Sequence, residues 1–415
     1  MQDVSIRYAD DTRRVSLPDD IDVRVVQPQA PADAPEPLDV VADALDNPID
    51  EAPLEERAAQ AKSVAIVIPD GTRRASAHLY LLPILARLSR VGVGPDRIKL
   101  VMARGIHPAT HRNVVEEMLG RELMDILRPV QSSPNTPEMN VSIGEDPELG
   151  DVRIHKHVAE ADLVILTGPV TTHHLAGFGG GPKALVPGVA ERDTVLAAHK
   201  LTLGSLVRPD GSIRSAAGRL DGNPFQHALL RVARNFGKAW LLNVVLDPQG
   251  DILHASAGEV GAAHRAATEA WTRLHAMPEP TPHDLVVVGV GGARAGDLIQ
   301  CHKGLLRALA WAKPGAPIVW AAAAPNGAGH GELLPWFTAG KLPVHLLALR
   351  KQFHPYGLTA YSIRRIAKDH PVYVASEMSK DLLRPMGLLR CRDLDGAMRL
   401  ALEENEVRTA AVLPG

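Results

Sequence analysis

The chain has 415 residues, a formal net charge of −3 and 45% hydrophobic residues. This is an ordinary globular composition, and a chain of this length predicts two domains rather than one. A charge so close to neutral argues against a nucleic-acid or acidic-membrane partner. The two cysteines, Cys301 and Cys391, do not form a CxxC pair, so neither a disulfide framework nor a thiolate zinc site is expected.

The N-terminal stretch "MQDVSIRYADD" is polar and acidic, which is not typical of a signal peptide. No apolar run reaches the roughly 18 residues that a membrane span needs. We therefore expect a cytoplasmic protein with neither a membrane nor a nucleic-acid partner.

Strands and helices alternate in the first part of the chain. Residues 25–60 are rich in Pro, Ala and Asp, which predicts a loose connection leading into a helix. Thr110 is the expected N-cap of a later helix and Gly120 lies just past its end. The alternation predicts a parallel α/β sheet. The predicted strands are residues 63–70, 97–105 and 161–170, and the predicted helices between them are residues 77–92 and 110–120.

The second half of the chain continues this order. Residues 238–259 predict two strands around a Pro-Gly turn, and residues 261–277 predict a helix. "PEPTPHD" at 278–284 is a Pro-rich linker and predicts a domain boundary. After it, "LVVVGVGGARAGDLIQCHKGLLRALAWA" begins a new strand–loop–helix unit, and "APIVWAAAAPNG" and "PVYVASEMS" predict further strands.

The sequence thus predicts two α/β domains with largely parallel sheets. The first covers residues 1–280, the second covers residues 281–405, and residues 406–415 are a C-terminal tail. Ligands bind such domains at the carboxyl ends of the strands, so we expect the active site in the cleft between the two domains.

Polar side chains follow each of the first three predicted strands. Taken singly, a histidine in such a loop is more often an ordinary loop residue than a catalyst. Strand-end loops on one edge of a parallel sheet converge, however, so these side chains are expected to meet in one cleft. They are Asp70, Thr72 and Arg73 after the first strand, His107 after the second, and His173, His174 and Lys183 after the third.

The stretch "HHLAGFGGGPKALVPG" at 173–188 is rich in glycine, which permits close approach of backbone to a ligand. It lacks the GxxxxGK[ST] pattern of a phosphate loop, because Ala184 stands at the Ser/Thr position. A flexible surface turn is the alternative. "PGVAERDT" at 187–194 predicts the start of a helix that carries His199 and whose amides could bind phosphate. From the residues alone, Lys183 is a phosphate contact, a Schiff-base amine, an acylated anchor or a solvated lysine.

In this order and spacing, "DGTR", "GIH", "HHLAGFGGGPKALVPG" and "AAHK" resemble the lactate racemase family that uses a nickel-pincer nucleotide. "QCHKG" at 300–304 resembles the Gln-x-x-Lys element of that family's second domain. The motifs extend over residues 60–310. The resemblance implies an isomerase that racemises or epimerises a 2-hydroxy acid at C2 by reversible hydride transfer to the cofactor.

The resemblance also implies residue roles. Lys183 would carry the cofactor, a nickel(II) pyridinium-3-thioamide-5-thiocarboxylic acid mononucleotide, through a covalent bond, and His199 would complete the nickel coordination. His107 and His173 would be the acid/base pair, with His173 preferred to His174 because of its spacing from Lys183. The other matched positions are Asp70, Thr72, Gly180 and Gly188 at the cofactor and Arg73, Gln300 and Lys303 at the substrate.

Two departures from the family pattern concern the substrate. Arg74 stands where the family usually has proline, and as a second cationic contact it predicts a substrate larger or more anionic than lactate, such as a malate-like diacid. The alternative is a gluconate-like sugar acid epimerised at C2. No residue clearly matches the family's aromatic residue over the substrate, although Phe353 or Tyr356 could supply it.

The implied partners are the small-molecule 2-hydroxy acid and the enzymes that mature the cofactor. Two functions outside the family are also compatible with the residues alone. One is a phosphate-binding module that uses only the glycine loop. The other is a hydrolase with a metal site built from Asp70, His107 and His173.

Overall fold

The computed structural model describes residues 1–27, 35–73, 77–247 and 249–415, without the side chains of Arg73 and Ala293. The chain forms two compact units. Unit 1 comprises Met1–Gln29, Leu203–Ser215 and Met277–Gly415, and unit 2 comprises Ala30–Thr202 and Ala216–Ala276. Each unit is α/β, as the sequence predicts.

The strands in the described residues take their numbers from the order of the chain. They are β1 (Gln2–Ala9), β2 (Asp11–Leu17), β3 (Asp22–Val25), β4 (Val64–Pro69), β5 (Ile98–Ala103), β6 (Val130–Gln131), β7 (Asn140–Asp146), β8 (Gly150–His155), β9 (Leu163–Pro169), β10 (Thr172–His173), β11 (Gly177–Phe178), β12 (Ala239–Leu246), β13 (Ile252–Gly258), β14 (Leu285–Gly291), β15 (Ile318–Ala321), β16 (Val372–Ala375), β17 (Leu389–Cys391) and β18 (Thr409–Leu413).

The helices are numbered in the same way. They are α1 (Pro37–Asp46), α2 (Leu54–Ala59), α3 (Ala77–Arg90), α4 (Arg112–Leu119), α5 (Arg121–Leu127), α6 (Lys156–Ala159), α7 (Arg192–Lys200), α8 (Thr202–Leu206), α9 (Pro224–Phe236), α10 (Val260–Leu274), α11 (Leu298–Ala308), α12 (Leu342–Lys351), α13 (Pro355–Asp369), α14 (Lys380–Leu383) and α15 (Leu394–Glu403). None of the helices in the described ranges is long and apolar enough to span a lipid bilayer.

Unit 2 is built on a six-stranded sheet in the order β13-β12-β9-β4-β5-β6. All neighbouring pairs are parallel except β12 with β13. Strands β4 and β9 are buried along nearly their whole length, which explains why they read as continuous apolar runs. Pro69 pairs with Ala103, so β4 and β5 end side by side. The loops that follow these two strands therefore begin next to each other.

The helix predicted at 110–120 differs at its start. It begins at Arg112, and His111 rather than Thr110 is the N-cap. The Thr110 hydroxyl instead accepts a hydrogen bond from the backbone N–H of Gly71 at 3.1 Å. Gly120 ends the helix at a φ of +78°, as expected for a glycine at that position.

Unit 1 contains an eight-stranded sheet that joins both ends of the chain. The β1–β2 hairpin is antiparallel, and β1 also pairs with β14 through Tyr8 and Val290. Strand β18 is buried and lies between β3 and β14, parallel to both. The remaining strands β15, β16 and β17 follow β14 in parallel order.

These pairings change the extent of the predicted domains. The sequence predicts that residues 1–29 belong to a domain of residues 1–280, but the strands among them complete the sheet of unit 1. The sequence predicts a tail at residues 406–415, but Thr409–Leu413 is a buried strand of the same sheet. The physical reason is that "TAAVL" is apolar enough to lie inside a sheet and gains hydrogen bonds on both edges there. The predicted boundary near 281 lies close to Met277, where the long C-terminal segment of unit 1 begins.

Candidate active site

The Asp70 carboxylate orients the imidazole of His107. Asp70 follows β4, is only 4% exposed, and places Oδ2 2.7 Å from Nδ1 of His107, which lies in the loop after β5. Its Oδ1 accepts hydrogen bonds from the backbone N–H and the hydroxyl of Thr72, at 3.1 and 2.5 Å. Because a carboxylate only accepts, Nδ1 of His107 carries the hydrogen and Nε2 keeps its lone pair. His107, with a side chain 36% exposed, is oriented as a proton acceptor.

Further hydrogen bonds hold the loops that carry Asp70 and His107. Thr110 accepts from Gly71 and exchanges two hydrogen bonds of 2.8 Å between its backbone and the side-chain amide of Gln131. The Arg104 guanidinium donates to the backbone oxygen of His107 at 2.7 Å. Burial lowers the pKa of Arg104, partly offset by the charge of Asp70. The position of His107 is therefore fixed through its backbone as well as its ring.

His173 lies in a short hairpin after β9. Its Nδ1 accepts the backbone N–H groups of Leu175 and Ala176, at 3.1 and 3.2 Å. The hydrogen of the neutral ring is therefore on Nε2, the opposite tautomer to that of His107. The ring of His174 stacks on that of His173 with a centroid distance of 4.9 Å. Nε2 of His173 is therefore a hydrogen-bond donor, whereas Nε2 of His107 is an acceptor.

Lys183 lies in a 3-10 turn, Gly181–Ala184, and the glycines before it are required by packing. Gly180 has a φ of +79°, and a Cβ there would lie 3.1 Å from the side chain of Asn243. Gly181 has a φ of +56°, and its Cβ would lie 2.4 Å from the ring of His264. The backbone of the turn thus rests directly on Asn243 and His264, and no side chain fits between them.

Asn243 and His264 were not found by the sequence analysis. Asn243 accepts from the backbone N–H of Gly181 at 2.9 Å and from Nδ1 of His264 at 3.0 Å, and donates to the oxygen of Gly168. His264 is 2% exposed, and burial, with the charges of Lys183 and Arg265, lowers its pKa to about 3. The signals that could have revealed this pair are an asparagine inside the apolar strand "AWLLNVVL" and a histidine on the buried face of α10.

Gly188 connects the Lys183 loop to the His107 loop. Its backbone oxygen accepts from the N–H of Gly105 at 2.8 Å, and a Cβ on Gly188 would lie 2.2 Å from the oxygen of Ala184. Only glycine fits this closely packed position. The structure therefore brings together two loops that lie far apart in the sequence.

His199 lies in the last turn of α7, as the sequence predicts. Its Nδ1 donates to the backbone oxygen of Val195 at 2.8 Å, so Nε2 keeps its lone pair. Burial, with smaller effects from the charges of Lys183 and His107, lowers the pKa of His199 to about 4, although the hydrogen bond to Val195 raises it. The ring is therefore neutral near pH 7.

These donors suit a cofactor that brings most of its own metal-binding atoms. Within the described ranges, no group of three or more His, Cys, Asp or Glu side chains could hold a metal ion. His199 offers one neutral imidazole nitrogen, a ligand that nickel accepts in square-planar sites. The alternative hydrolase site has no support among the described residues, because Asp70, His107 and His173 do not form a group that could hold a metal ion.

Gln300 and Lys303 lie together on α11 of unit 1. Asp297 caps this helix by accepting the backbone N–H of Gln300 at 2.8 Å. Nζ of Lys303 donates to Oε1 of Gln300 at 2.6 Å. One face of the helix therefore presents an ammonium group and an amide side by side, as the Gln-x-x-Lys spacing requires.

The remaining predicted substrate contacts are only partly described. The backbone of Arg73 ends a 3-10 turn, Gly71–Arg73, whereas Arg74 lies outside the described residues. Of the two candidate aromatic residues, Tyr356 is 7% exposed and its ring stacks on His330, while Phe353 is partly buried.

Comparison with known proteins identifies the family of this chain. Residues 8–208 match the family described as the lactate racemase N-terminal domain. The lactate racemase of Lactiplantibacillus plantarum is 30% identical over 385 residues, which cover 91% of this chain and 89% of that protein. The chain belongs to the lactate racemase family.

A second sequence and a solved structure of lactate racemases are also similar to this chain. The lactate racemase of Thermoanaerobacterium thermosaccharolyticum is 28% identical over 371 residues, covering 88% of this chain and 85% of that protein. A solved structure of the lactate racemase apoprotein from the same organism has a TM-score of 0.88 and 26% identity, and covers 100% of this chain and 98% of that one. The chain is therefore an isomerase of the racemase type with the α/β fold of this family.

Proposed function

We propose that this chain inverts the configuration at C2 of a 2-hydroxy acid, with a nickel-pincer nucleotide bound covalently to Lys183 and ligated by Nε2 of His199. The observation that carries the proposal is the hydrogen bond between Asp70 and His107. It leaves an oriented proton acceptor on a loop that is joined to the Lys183 loop through Gly188. Family membership and the neutral, partly buried imidazole of His199 support it.

The chemistry explains why an oriented histidine is needed. The hydrogen on C2 of a 2-hydroxy acid is too weakly acidic for an imidazole to remove as a proton, because the adjacent carboxylate already carries a negative charge. When bound, the cofactor supplies an acceptor for that hydrogen as hydride. His107 then has the easier task of accepting the hydroxyl proton at Nε2, while the Asp70 carboxylate stabilises the imidazolium that results.

His173 returns a proton to the substrate oxygen after His107 has accepted one, so that the opposite hand of the acid forms. In the tautomer selected by Leu175 and Ala176, its Nε2–H donates a hydrogen bond to the substrate oxygen. Full proton transfer from this ring requires the imidazolium form, in which Nδ1 no longer accepts from the two amides. The turn after His173 must therefore loosen when the ring takes up its second proton.

The substrate carboxylate needs cations. Lys303, positioned by Gln300, and Arg73 supply them in this proposal. Arg74 would provide a further positive charge, so we propose a substrate larger or more anionic than lactate. Malate-like diacids and gluconate-like sugar acids are the two candidate classes.

The test is co-expression with cofactor-maturation enzymes, followed by intact mass, nickel content and turnover. We expect a mass increment, nickel in the purified protein, and retention of a C2 deuterium label during inversion of a 2-hydroxy acid. His199→Ala should lose nickel, whereas His227→Ala, a change at an exposed histidine of α9, should keep it. Complete loss of the C2 label to solvent during inversion would contradict the proposal, as would nickel retention by His199→Ala.

A further inference from the structure

Unit 1 carries a polar and aromatic cluster that the function above does not use. We call the side chains of His330, Glu332, His354 and Tyr356 the 330–356 cluster. His330 and Glu332 lie in the segment after β15, and His354 is the N-cap of α13. The rings of His330 and Tyr356 stack with centroids 4.6 Å apart. The cluster therefore joins two segments of unit 1 around a buried aromatic ring.

The cluster segment packs against the helix that carries the predicted substrate contacts. Gly329, with a φ of +86°, has no room for a side chain, because a Cβ there would lie 2.6 Å from Cγ of Asp297. Asp297 is the N-cap of α11 and binds the backbone of Gln300. The N–H of Leu298 also donates to the oxygen of Gly327 at 2.9 Å. His330 thus follows directly on the residue that touches the start of α11.

This location is where α/β sheets bind ligands. Strands β14 and β15 are parallel neighbours, and both the α11 loop and the His330 segment leave their carboxyl ends. Ligands of such sheets lie at this edge. The Gln300–Lys303 pair and the 330–356 cluster therefore belong to the same edge of one sheet.

The two accessible side chains of the cluster are His330, a hydrogen-bond donor, and Glu332, an acceptor. Nδ1 of His330 accepts the backbone N–H of Glu332 at 3.2 Å, so the hydrogen of the neutral ring is on Nε2. Glu332 places Oε2 3.4 Å from Nε2 of His354. The side chains of His330 and Glu332 are 34% and 45% exposed, so both can reach a ligand.

We propose that His330 and Glu332 bind a hydroxyl group of the substrate beyond C2, and that the substrate is a polyhydroxy 2-hydroxy acid rather than a diacid. A hydroxyl can accept from Nε2–H of His330 and donate to the Glu332 carboxylate at the same time. A second substrate carboxylate has no hydrogen to donate and is repelled by Glu332. This inference rests on the proposed function, in which Gln300 and Lys303 hold the C1 carboxylate.

Two variants at one position separate hydrogen bonding from charge. Glu332→Ala removes both the acceptor and the repulsion. Glu332→Gln keeps an acceptor oxygen but removes the repulsion of a second carboxylate. Glu406→Ala, at an exposed glutamate before β18 of the same unit, is the matched control.

Cofactor-loaded protein is assayed with gluconate, malate and lactate. We expect gluconate to have the highest kcat/KM, and the gluconate-to-lactate ratio of kcat/KM to fall about 10- to 100-fold in Glu332→Ala, the size expected for a hydrogen bond to a charged group. In Glu332→Gln, the malate-to-gluconate ratio should rise. Glu406→Ala should leave both ratios unchanged. A preference for malate in the unmodified chain, or equal losses for gluconate and lactate in Glu332→Ala, would overturn the inference.

Binding of gluconate to the full-length chain without cofactor separates this inference from the proposed function. Ligand-observed NMR should show gluconate binding that weakens in Glu332→Ala and persists in Glu406→Ala. If gluconate binds in this way but the cofactor-loaded enzyme inverts no 2-hydroxy acid, the proposed function is refuted and the hydroxyl site is still supported. Equal gluconate binding by the chain and by Glu332→Ala would refute the hydroxyl site.

Discussion

Asp70 and His107 are separated by 37 positions in the sequence and joined by a hydrogen bond of 2.7 Å between Oδ2 and Nδ1. The bond determines which nitrogen of His107 carries hydrogen and therefore which one accepts a proton. Asp70 has its other oxygen bound to Thr72, so the carboxylate cannot rotate away without losing both contacts. Asp70 is thus a positioning residue for the base.

Asp70→Asn should lower kcat about 10²-fold or more while changing KM little. The amide can stabilise neither the correct tautomer nor the imidazolium as the carboxylate does. Steady-state kinetics measure the split between kcat and KM. Asp146→Asn is the control, because Asp146 is an equally buried carboxylate of unit 2 paired with Arg231, and its loss should lower thermal stability without a specific loss of kcat. Equal kcat in the Asp70 variant and the unmodified chain would exclude the positioning role.

His173→Ala should lose turnover by about 10²–10⁴-fold in both directions, the usual size for a general acid or base, and still bind nickel. His174→Ala should remain active, because the backbone contacts of the hairpin orient His173. Racemisation followed from each enantiomer, together with nickel content, checks this. An inactive His174→Ala beside an active His173→Ala would reverse the choice between the two.

Lys183→Ala should abolish the covalent mass increment after co-expression with the maturation enzymes. The reason is that its amine is the proposed point of attachment. Lys200→Ala is the matched control, since Lys200 is an exposed lysine in the same turn of α7 as His199. Intact mass spectrometry gives the answer directly, and an increment that survives in Lys183→Ala would place the attachment elsewhere.

Gly181→Ala should destabilise the Lys183 turn. A Cβ at this position would lie 2.4 Å from the buried ring of His264, and the φ of +56° is strained for any side chain. We expect a loss of about 1–3 kcal/mol in the free energy of unfolding, measured by urea denaturation, together with loss of cofactor loading. Gly204→Ala is the control, because a Cβ at 204 has no atom within 4 Å and alanine favours the helix. If the two variants have the same stability, the packing argument fails.

His155 should make the chain sensitive to acid. It is 0% exposed, neither ring nitrogen has a hydrogen-bond partner among the described residues, and burial lowers its pKa to about 4. The unfolded chain takes up this proton near pH 6.5 but the folded chain does not. The titration of His155 therefore leaves the free energy of unfolding unchanged above pH 6.5. Below that pH it lowers the free energy of unfolding by about 1.4 kcal/mol per pH unit as the pH drops towards 4.

The comparison is with His155→Leu, which should remove this contribution to the pH slope. Urea denaturation at pH 7, 6 and 5 measures the slope for each variant. His227→Ala, at an exposed position, should keep the slope of the unmodified chain. A slope for His155→Leu equal to that of the unmodified chain would show that His155 is not the titrating group.

Much of the fold and of the candidate site could be predicted from local sequence. The strands β4 and β9 are continuous apolar runs, β5 is apolar except for the exposed Lys99, and the polar residues after these strands lie in loops as expected. Gly120 ends its helix and His199 lies on the helix predicted after the glycine-rich stretch. These features depend on side-chain periodicity, caps and glycine conformations, which act over a few residues and are therefore visible in the sequence.

Other features depend on which distant segments meet, and only the tertiary structure decided them. The tautomer of His107 is set by Asp70 from another loop, and the glycines before Lys183 are required by Asn243 and His264 from β12 and α10. The C-terminal residues 409–413 form a buried strand because β3 and β14 offer it two open edges. The residues of a segment determine which secondary structure that segment can form. Its hydrogen-bond partners and its burial depend on the other segments that pack against it, and those segments lie far away in the sequence.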